Sequence, residues 1–356
     1  MTRVLEVLGR SAGGIARHVA QVVAELDGGT DLAIDIAGPG DLPIPMPKPV
    51  LPVEIPDGAF SGHGHAIRRL RTLARGYDVV HAHGLRAGTD VGIAVRGSRK
   101  IVTVHNLVRP EIAGRVKAPL YRRVESLTVA LNEYVFAVSS DIARSLKRAW
   151  PPGKNKVEVL HLGVGGVPPL SRSRAEVRAE LGATDRPLVV SVARLAPQKS
   201  LVTLLEAMGQ LPDVVLAVVG EGPERRALED AIARTGLSDR VHLVGFRSDV
   251  ADVIAAADVF CLSSIWEGVP LAAQEAILLG VPIVATDVGG MRELIANKIS
   301  GRLVPPRDPV ALAGALSETL TSETESARYV VAAKRHLLKD FSTEGMLDRL
   351  RAAYAG

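Results

Sequence analysis

Two glutamates stand in one short segment: Ser263-Ser264-Ile265-Trp266-Glu267-Gly268-Val269-Pro270-Leu271-Ala272-Ala273-Gln274-Glu275-Ala276. Gly268 and Pro270 mark a break followed by the first turn of a helix, so Glu267 lies in the preceding loop. Glu275 lies about one turn inside the helix. The two carboxylates therefore do not share a helical face. Between them, at Val269 to Ala272, comes a helix N-terminus with free N–H groups. Carboxylate, anion site, carboxylate is the order in which a nucleotide sugar laid lengthwise presents its sugar hydroxyls, pyrophosphate and ribose hydroxyls. Ionised carboxylates are strong acceptors for hydroxyl pairs. A blander reading is a Glu favoured by the helix dipole plus a surface Glu. Yet the helix that carries Glu275 is mostly apolar, and a buried unpaired Glu is costly, which argues for a partner or a ligand.

Other candidates also sit where strands end. Arg194 closes an apolar run, and Lys199 follows five residues later at the start of a helix. Two cations at a strand–helix turn suit a pyrophosphate, and solvated surface cations are the alternative. His81-Ala82-His83 ends another run. Residues i and i+2 on a strand share a face, but a metal needs a third ligand and no carboxylate stands nearby, so local hydrogen bonds are expected and no metal. His105, in Thr103-Val104-His105-Asn106, also sits at a strand end. Of the nine histidines it is the one expected to contact substrate. Gly13-Gly14 separates the first strand from the helix carrying His18, where backbone amides can approach an anion. The pattern is not G-x-G-x-x-G and lacks the spaced acidic residue of a nicotinamide dinucleotide site; a plain tight turn is the alternative.

These residues need a frame of alternating elements. Short apolar runs at 4–8, 32–36, 79–83, 100–104, 134–138 and 157–160 predict strands, with helices at 15–26 and 66–74 among those between them. Residues 38–58, rich in Pro and Gly, predict a loop with at most one short strand. After the Gly/Pro stretch at 163–169, the best linker, the pattern restarts. Strands are expected at 188–193, 214–219, 241–243, 259–262, 283–286 and 301–304. Helices are expected at 200–208, 224–235, 250–256 and 270–278, and more helices close the chain. This is the pattern of parallel sheets wrapped by helices, twice over, in an α/β fold.

Composition narrows the classes. The chain has 356 residues, room for two domains. Aromatics are only 3%, so the cores must be built from Ala, Val, Leu and Ile. A single cysteine, Cys261, excludes a disulfide scaffold and favours a reducing compartment. Glu6 interrupts the apolar start, so no signal peptide is read there, and no apolar stretch is long enough to span a bilayer. The expected location is the cytoplasm, with the inner face of the cell membrane as a peripheral setting. The net charge of +4 is uneven: residues 1–168 carry +7 and residues 169–356 carry −3. Arg109, Arg115, Lys117, Arg122 and Arg123 cluster against Glu111 and Glu125, and Arg68, Arg69, Arg71 and Arg75 form a second group. Each basic residue near an anionic surface is worth about 1 kcal/mol, so an anionic membrane surface is one candidate partner and a solvated basic face is the alternative. Nucleic acid is not expected, since a stacking platform is lacking.

Glu267 and Glu275, with seven residues between them within Trp-Glu-Gly-Val-Pro-Leu…Glu-Ala…Gly-Val-Pro-Ile-Val-Ala-Thr-Asp-Val-Gly-Gly, resemble the E-x7-E signature of retaining GT-B glycosyltransferases, specifically glycosyltransferase family four. Gly13-Gly14, Thr103-Val104-His105, Val138-Ser139, Val192-Ala193-Arg194-Leu195, Gln198-Lys199, Val219-Gly220-Glu221-Gly222-Pro223, Val244-Gly245-Phe246 and Gly301-Arg302-Leu303-Val304 follow in the family's order. The resemblance implies two Rossmann-like doubly wound domains facing each other across a cleft that holds the active site. Residues 1–168 would bind the acceptor and 169–335 the nucleoside-diphosphate sugar. Residues 336–356 would form a helix crossing back to the first domain. Arg194 and Lys199 would bind the diphosphate and neutralise the leaving group in place of a metal, so no cofactor is implied. Glu275 would bind ribose hydroxyls. Glu267 would bind the transferred hexosyl group, with the backbone of Gly268, Val269, Pro270 and Leu271 nearby. His105 would touch the donor sugar, and Gly13 and Gly14 the phosphate or acceptor.

The acceptor implied is a saccharide or a lipid-linked glycan; its binding residues are not legible. Anomeric retention by a front-face mechanism is implied, with the catalytic set His105, Glu267, Arg194 and Lys199. Two departures stand out. Leu162-Gly163-Val164-Gly165 replaces the family's Asn-Gly-Val-Asp turn, and Ser200 follows Lys199 where Gly is common. A sugar-nucleotide epimerase, a phosphorylase and a non-catalytic sugar-nucleotide-binding subunit are the alternative readings.

Overall fold

The computed structural model describes all residues except 11–12, 30, 43, 57–61, 108–117, 151–155 and 168. Arg109, Glu111, Arg115 and Lys117 of the first basic cluster lie outside the described residues. The chain divides into two units, Met1–Gly163 with Ser342–Gly356, and Val164–Phe341.

The first unit holds a seven-stranded parallel sheet: β1 (Thr2–Leu8), β2 (Leu32–Gly38), β3 (Val50–Pro52), β4 (Val79–His83), β5 (Arg99–Val104), β6 (Tyr134–Ala137) and β7 (Val157–Val159). Their spatial order is β3-β2-β1-β4-β5-β6-β7. The one short strand allowed within 38–58 is β3. Its Pro52 sits on the sheet edge, where a missing N–H costs no ladder bond. β1 and β4 pair with Glu6 opposite His81 and Leu8 opposite His83.

The second unit holds β8 (Leu188–Val192), β9 (Val215–Val219), β10 (Val241–Gly245), β11 (Val259–Leu262), β12 (Ile283–Thr286) and β13 (Arg302–Val304). They run in the order β10-β9-β8-β11-β12-β13. Alternate residues of one strand feed cores on opposite faces: Phe260 and Leu262 one, Val259 and Cys261 the other. A sheet covered on both faces explains why these strands read as unbroken apolar runs. Burial pushes the Cys261 thiol up to about 12, so it is a packing residue.

Both sheets reverse direction of winding once, between β1 and β4 and between β8 and β11. Open α/β sheets bind ligands beyond the carboxyl ends of the strands at such a point. The two-domain α/β expectation therefore holds, with shifted boundaries. The first falls at 163/164 instead of 168/169, because Val164 already packs against the second core. The second falls at 341/342 instead of 335/336. The helix Glu323–Asp340 runs on past residue 335 because Ala333, Leu337 and Phe341 belong to the second core. Ser342 then caps the last helix, Thr343–Ala355, accepting from the Gly345 N–H. That helix packs within the first unit, where Tyr354 is fully buried.

Candidate functional site

At the reversal point of the second sheet the chain leaves β8 through Ala193 and Arg194. Arg194 is exposed and has no charged partner among the described residues. A single turn, Pro197–Lys199, then carries Lys199 inward. Its ammonium lies 2.5 Å from Glu267 Oε1. Two predicted site residues, 68 apart in sequence, thus meet directly. Lys199 is held by a carboxylate, and Arg194 stands in solvent beside the same turn. The Ser264 hydroxyl also donates to Glu267 Oε1, at 2.5 Å, so one oxygen of the buried carboxylate receives two donors. Crossed bonds lock the two loops. Ile265 N–H donates to Gln198 O, the Gln198 amide to Trp266 O, and the Ser263 hydroxyl to Lys199 O.

The departure at Ser200 has a backbone consequence. Ser200 adopts φ 46° and ψ 44°, the left-handed conformation that favours Gly. For a non-glycine this costs about 1–2 kcal/mol. The strain falls on the residue next to Lys199, and it begins the helix Leu201–Met208. A second backbone constraint lies beneath Glu267. A Cβ on Gly289 would come 1.9 Å from Glu267 O, and one on Gly290 2.0 Å from Gly268 O. Only glycines allow the loop after β12 to support the Glu267–Gly268 backbone.

The segment Gly268, Val269, Pro270, Leu271 runs into the helix Leu271–Leu278, whose N-cap Pro270 supplies no side-chain cap. Glu275 is the fifth residue of that helix and is buried, as its apolar sequence predicts.

The reversal point of the first sheet holds a cluster of rings around Glu6, a fully buried residue of β1. His83 Nε2 lies 2.7 Å from Glu6 Oε2, and the Tyr354 hydroxyl donates to Glu6 Oε1 at 2.7 Å. His81 bridges Tyr354 Oη (2.7 Å from Nδ1) and Thr103 Oγ1 (2.8 Å from Nε2). His83 Nδ1 reaches His105 Nε2 at 3.1 Å. His18 lies edge-on to both His83 and His105, ring centroids 5.4 Å away, and neither of its nitrogens has a partner among the described residues. The expectation that no carboxylate lies near His81 and His83 is therefore corrected: β1 supplies Glu6 through its parallel register with β4. Ligand atoms of His18, His83 and His105, and of Glu6, His81 and His83, lie within 4.8 Å of one another, a spacing that one cation could bridge. Both nitrogens of His81 and of His83 already have hydrogen-bond partners within the protein.

Gly13 and Gly14 begin the helix Gly14–Leu26, which carries His18 into this cluster. Gly13 has φ −132°, and a Cβ there would meet nothing within 4 Å among the described residues. Glu6, Thr103, Tyr354 and Ser264 were missed as site residues in the sequence. For Glu6 a signal existed, a carboxylate inside an otherwise buried strand.

Two family models match the chain in tandem, Glycosyltransferase Family 4 over residues 12–165 and Glycosyl transferases group 1 over residues 173–336. A 2-deoxystreptamine N-acetyl-D-glucosaminyltransferase of Streptomyces fradiae is 31% identical over 300 residues, covering 78% of this chain and 71% of that protein. The chain belongs to the glycosyltransferases. A D-inositol 3-phosphate glycosyltransferase of Xylanimonas cellulosilytica is 32% identical over 296 residues, covering 76% of this chain and 71% of its own length. Among solved structures, Anabaena HepE in complex with UDP and glucose superposes with a TM-score of 0.85 at 21% identity, covering 99% of both chains. Sucrose-phosphate synthase of Thermosynechococcus elongatus gives 0.81 at 22%, covering 100% of this chain and 98% of that one. The fold of this glycosyltransferase is thus GT-B.

The ring cluster is expected to make the glycosyltransferase acid-sensitive. Burial and the neighbouring imidazoles hold His18 and His105 well below the ordinary histidine pKa and His83 below it. Burial alone would raise Glu6, but His81 and His83 outweigh it and hold the carboxyl below its usual range. A depressed histidine contributes stability that is complete above its unfolded pKa of about 6.5 and lost below it. The Glu6 contribution has the same sign and is lost only at lower pH, below about 4.5. Urea unfolding between pH 7.5 and 5 is expected to show stability falling from about pH 6.5 downward, by up to about 1.4 kcal/mol per pH unit for each ring. A stability profile flat from pH 7.5 to 5 would contradict this.

Proposed function

We propose that the enzyme moves a hexosyl group from a nucleoside-diphosphate sugar to a saccharide or lipid-linked acceptor, with retention of anomeric configuration and without a metal. The observation that carries this reading is the pair of half-buried Lys199 and buried Glu267 beside Arg194 at the reversal point of the second sheet. Cation, carboxylate and helix N-terminus there match the parts of a nucleotide sugar. The HepE structures with UDP and UDP-glucose, and the transferases among the relatives, support the donor class. A lipopolysaccharide core glycosyltransferase of Rhizobium meliloti, 30% identical over 186 residues that make up 51% of this chain and 53% of that one, supports a role in glycan or cell-envelope synthesis.

In this reading Arg194 and Lys199 bind the diphosphate and stabilise the charge that develops as it leaves. Lys199 exchanges Glu267 for phosphate, which releases Glu267 to accept bonds from hydroxyls of the transferred sugar. Glu275 accepts from the ribose hydroxyls, and His105 contacts the donor sugar. Gly13 and Gly14, at the start of the helix Gly14–Leu26, lie against phosphate or acceptor. The acceptor oxygen bonds to the anomeric carbon on the face from which the phosphate departs. The anomeric carbon–oxygen bond to phosphate breaks, and a phosphate oxygen takes the acceptor's proton.

Incubation with a panel of nucleotide sugars and acceptors, read by nucleoside diphosphate release, tests this. Lys199→Ala and Glu275→Ala are expected to lower transfer at least 100-fold while the protein stays folded. Full activity in either variant refutes the assignments.

No helix among the described residues is long and apolar enough to cross a membrane. We propose peripheral attachment at the inner membrane face, where a lipid-linked acceptor resides. Arg68, Arg69, Arg71 and Arg75 are exposed on and just after the helix His63–Leu73. Arg122 and Arg123 are exposed on the helix Ala118–Leu131, which also exposes Leu127. Charge beside an exposed apolar side chain favours an anionic interface over plain solvation. Co-sedimentation with anionic liposomes at low salt is expected, weakened by salt; absence of binding at low salt removes this attachment.

A further inference from the structure

The polar atoms around Glu6 fix where their protons lie. Glu6 is ionised and can only accept. The Tyr354 hydroxyl spends its single proton on Glu6 Oε1, so it must accept from His81 Nδ1–H. His81 then has its lone pair on Nε2, which accepts from the Thr103 hydroxyl. His83 donates Nε2–H to Glu6 Oε2, so a neutral His83 has its lone pair on Nδ1. That lone pair faces His105 Nε2 at 3.1 Å, and two lone pairs cannot face each other at that distance. His105 must therefore carry its proton on Nε2.

Glu6 on β1, His18 on the helix Gly14–Leu26, His81 on β4, Thr103 on β5 and Tyr354 on the last helix are the groups that surround His83 and His105. One carboxylate among four imidazoles does not sustain several positive rings. Burial holds His83 and His105 to the neutral form near pH 7.

We propose that Glu6 is a positioning residue: acting through His83, it locks His105 as the neutral Nε2–H tautomer, so that His105 meets the donor sugar as a hydrogen-bond acceptor at Nδ1. This rests on the reading that His105 contacts the donor. Tyr354 extends the chain of bonds to the C-terminal helix and holds the second Glu6 oxygen in place. A carboxylate that sets the tautomer of a working imidazole by orienting an intermediate group follows the general logic of catalytic triads.

Imidazole N–H spectra of the full chain labelled with 15N-histidine at pH 7.5, assigned by single histidine replacements, read the tautomer directly. The expected result for His105 is a proton on Nε2. In Glu6→Gln the amide oxygen must still accept from Tyr354, which turns the amide NH2 toward His83. His83 then becomes the Nδ1–H form and donates to His105 Nε2, so the His105 proton moves to Nδ1. Turnover in that variant is expected to fall about tenfold, the loss of one hydrogen bond, while affinity for UDP or GDP alone stays within about twofold, since neither carries the sugar.

A wild-type His105 protonated on Nδ1, or a folded Glu6→Gln with an unchanged His105 tautomer, overturns the proposal. A metal held by His18, His83 and His105 would abolish the Nε2–H signal and would overturn it too. Should Glu6→Gln not fold, the wild-type spectrum still decides. Undiminished transfer by His105→Ala would refute the substrate contact, whereas the spectra judge the relay independently.

Discussion

A carboxylate buried away from water costs several kcal/mol unless it is paired and its lone pairs are filled. Glu6 imposes that demand on the first unit. Its partners come from elements far apart in sequence: His83 from β4 and Tyr354 from the C-terminal helix, with His81 and Thr103 completing the ring of bonds. The demand therefore fixes more than a strand pairing. It ties the last turn of the chain to the first strand, and it sets ring orientations one layer out, at His105. The same polar core is expected to make the unit sensitive to acid.

Glu267 imposes the corresponding demand on the second unit. Lys199 and Ser264 satisfy it, and Gly289 and Gly290 keep the space beneath its backbone empty of side chains. The left-handed Ser200 stores strain beside the same lysine. Strain of this kind persists only where surrounding structure over-determines it, and the crossed bonds of Gln198, Ser263 and Ile265 do so. In the proposed reaction the pair is the arrangement that the donor opens. Each member is a good ligand for a different part of a nucleotide sugar.

The fold was legible because both sheets are parallel and buried, so each strand stands out as a short apolar run. Residues 79–83 and 259–262 match β4 and β11 to the residue. The boundaries were less legible, since the Gly/Pro stretch at 163–169 marks a linker without saying which core Val164 joins. In the second unit the pairing of the candidate residues was not legible. Lys199 and Glu267 stand 68 residues apart, and only packing brings them into contact. The first-unit network was legible least. Its critical bonds join His81 to Tyr354 and Glu6 to Tyr354, 273 and 348 residues apart. Glu6 could be noticed only as a charge inside an apolar strand. Nothing local announces that a tyrosine near the end of the chain will receive it.

The claim on which the functional reading turns is that the Lys199–Glu267 pair opens to receive the donor. A crystal structure with an intact nucleoside-diphosphate sugar tests it most directly. The expected structure has diphosphate oxygens on Lys199 and Arg194, sugar hydroxyls on Glu267 and ribose hydroxyls on Glu275. A nucleotide sugar bound elsewhere, with Lys199 still closed on Glu267, would contradict it.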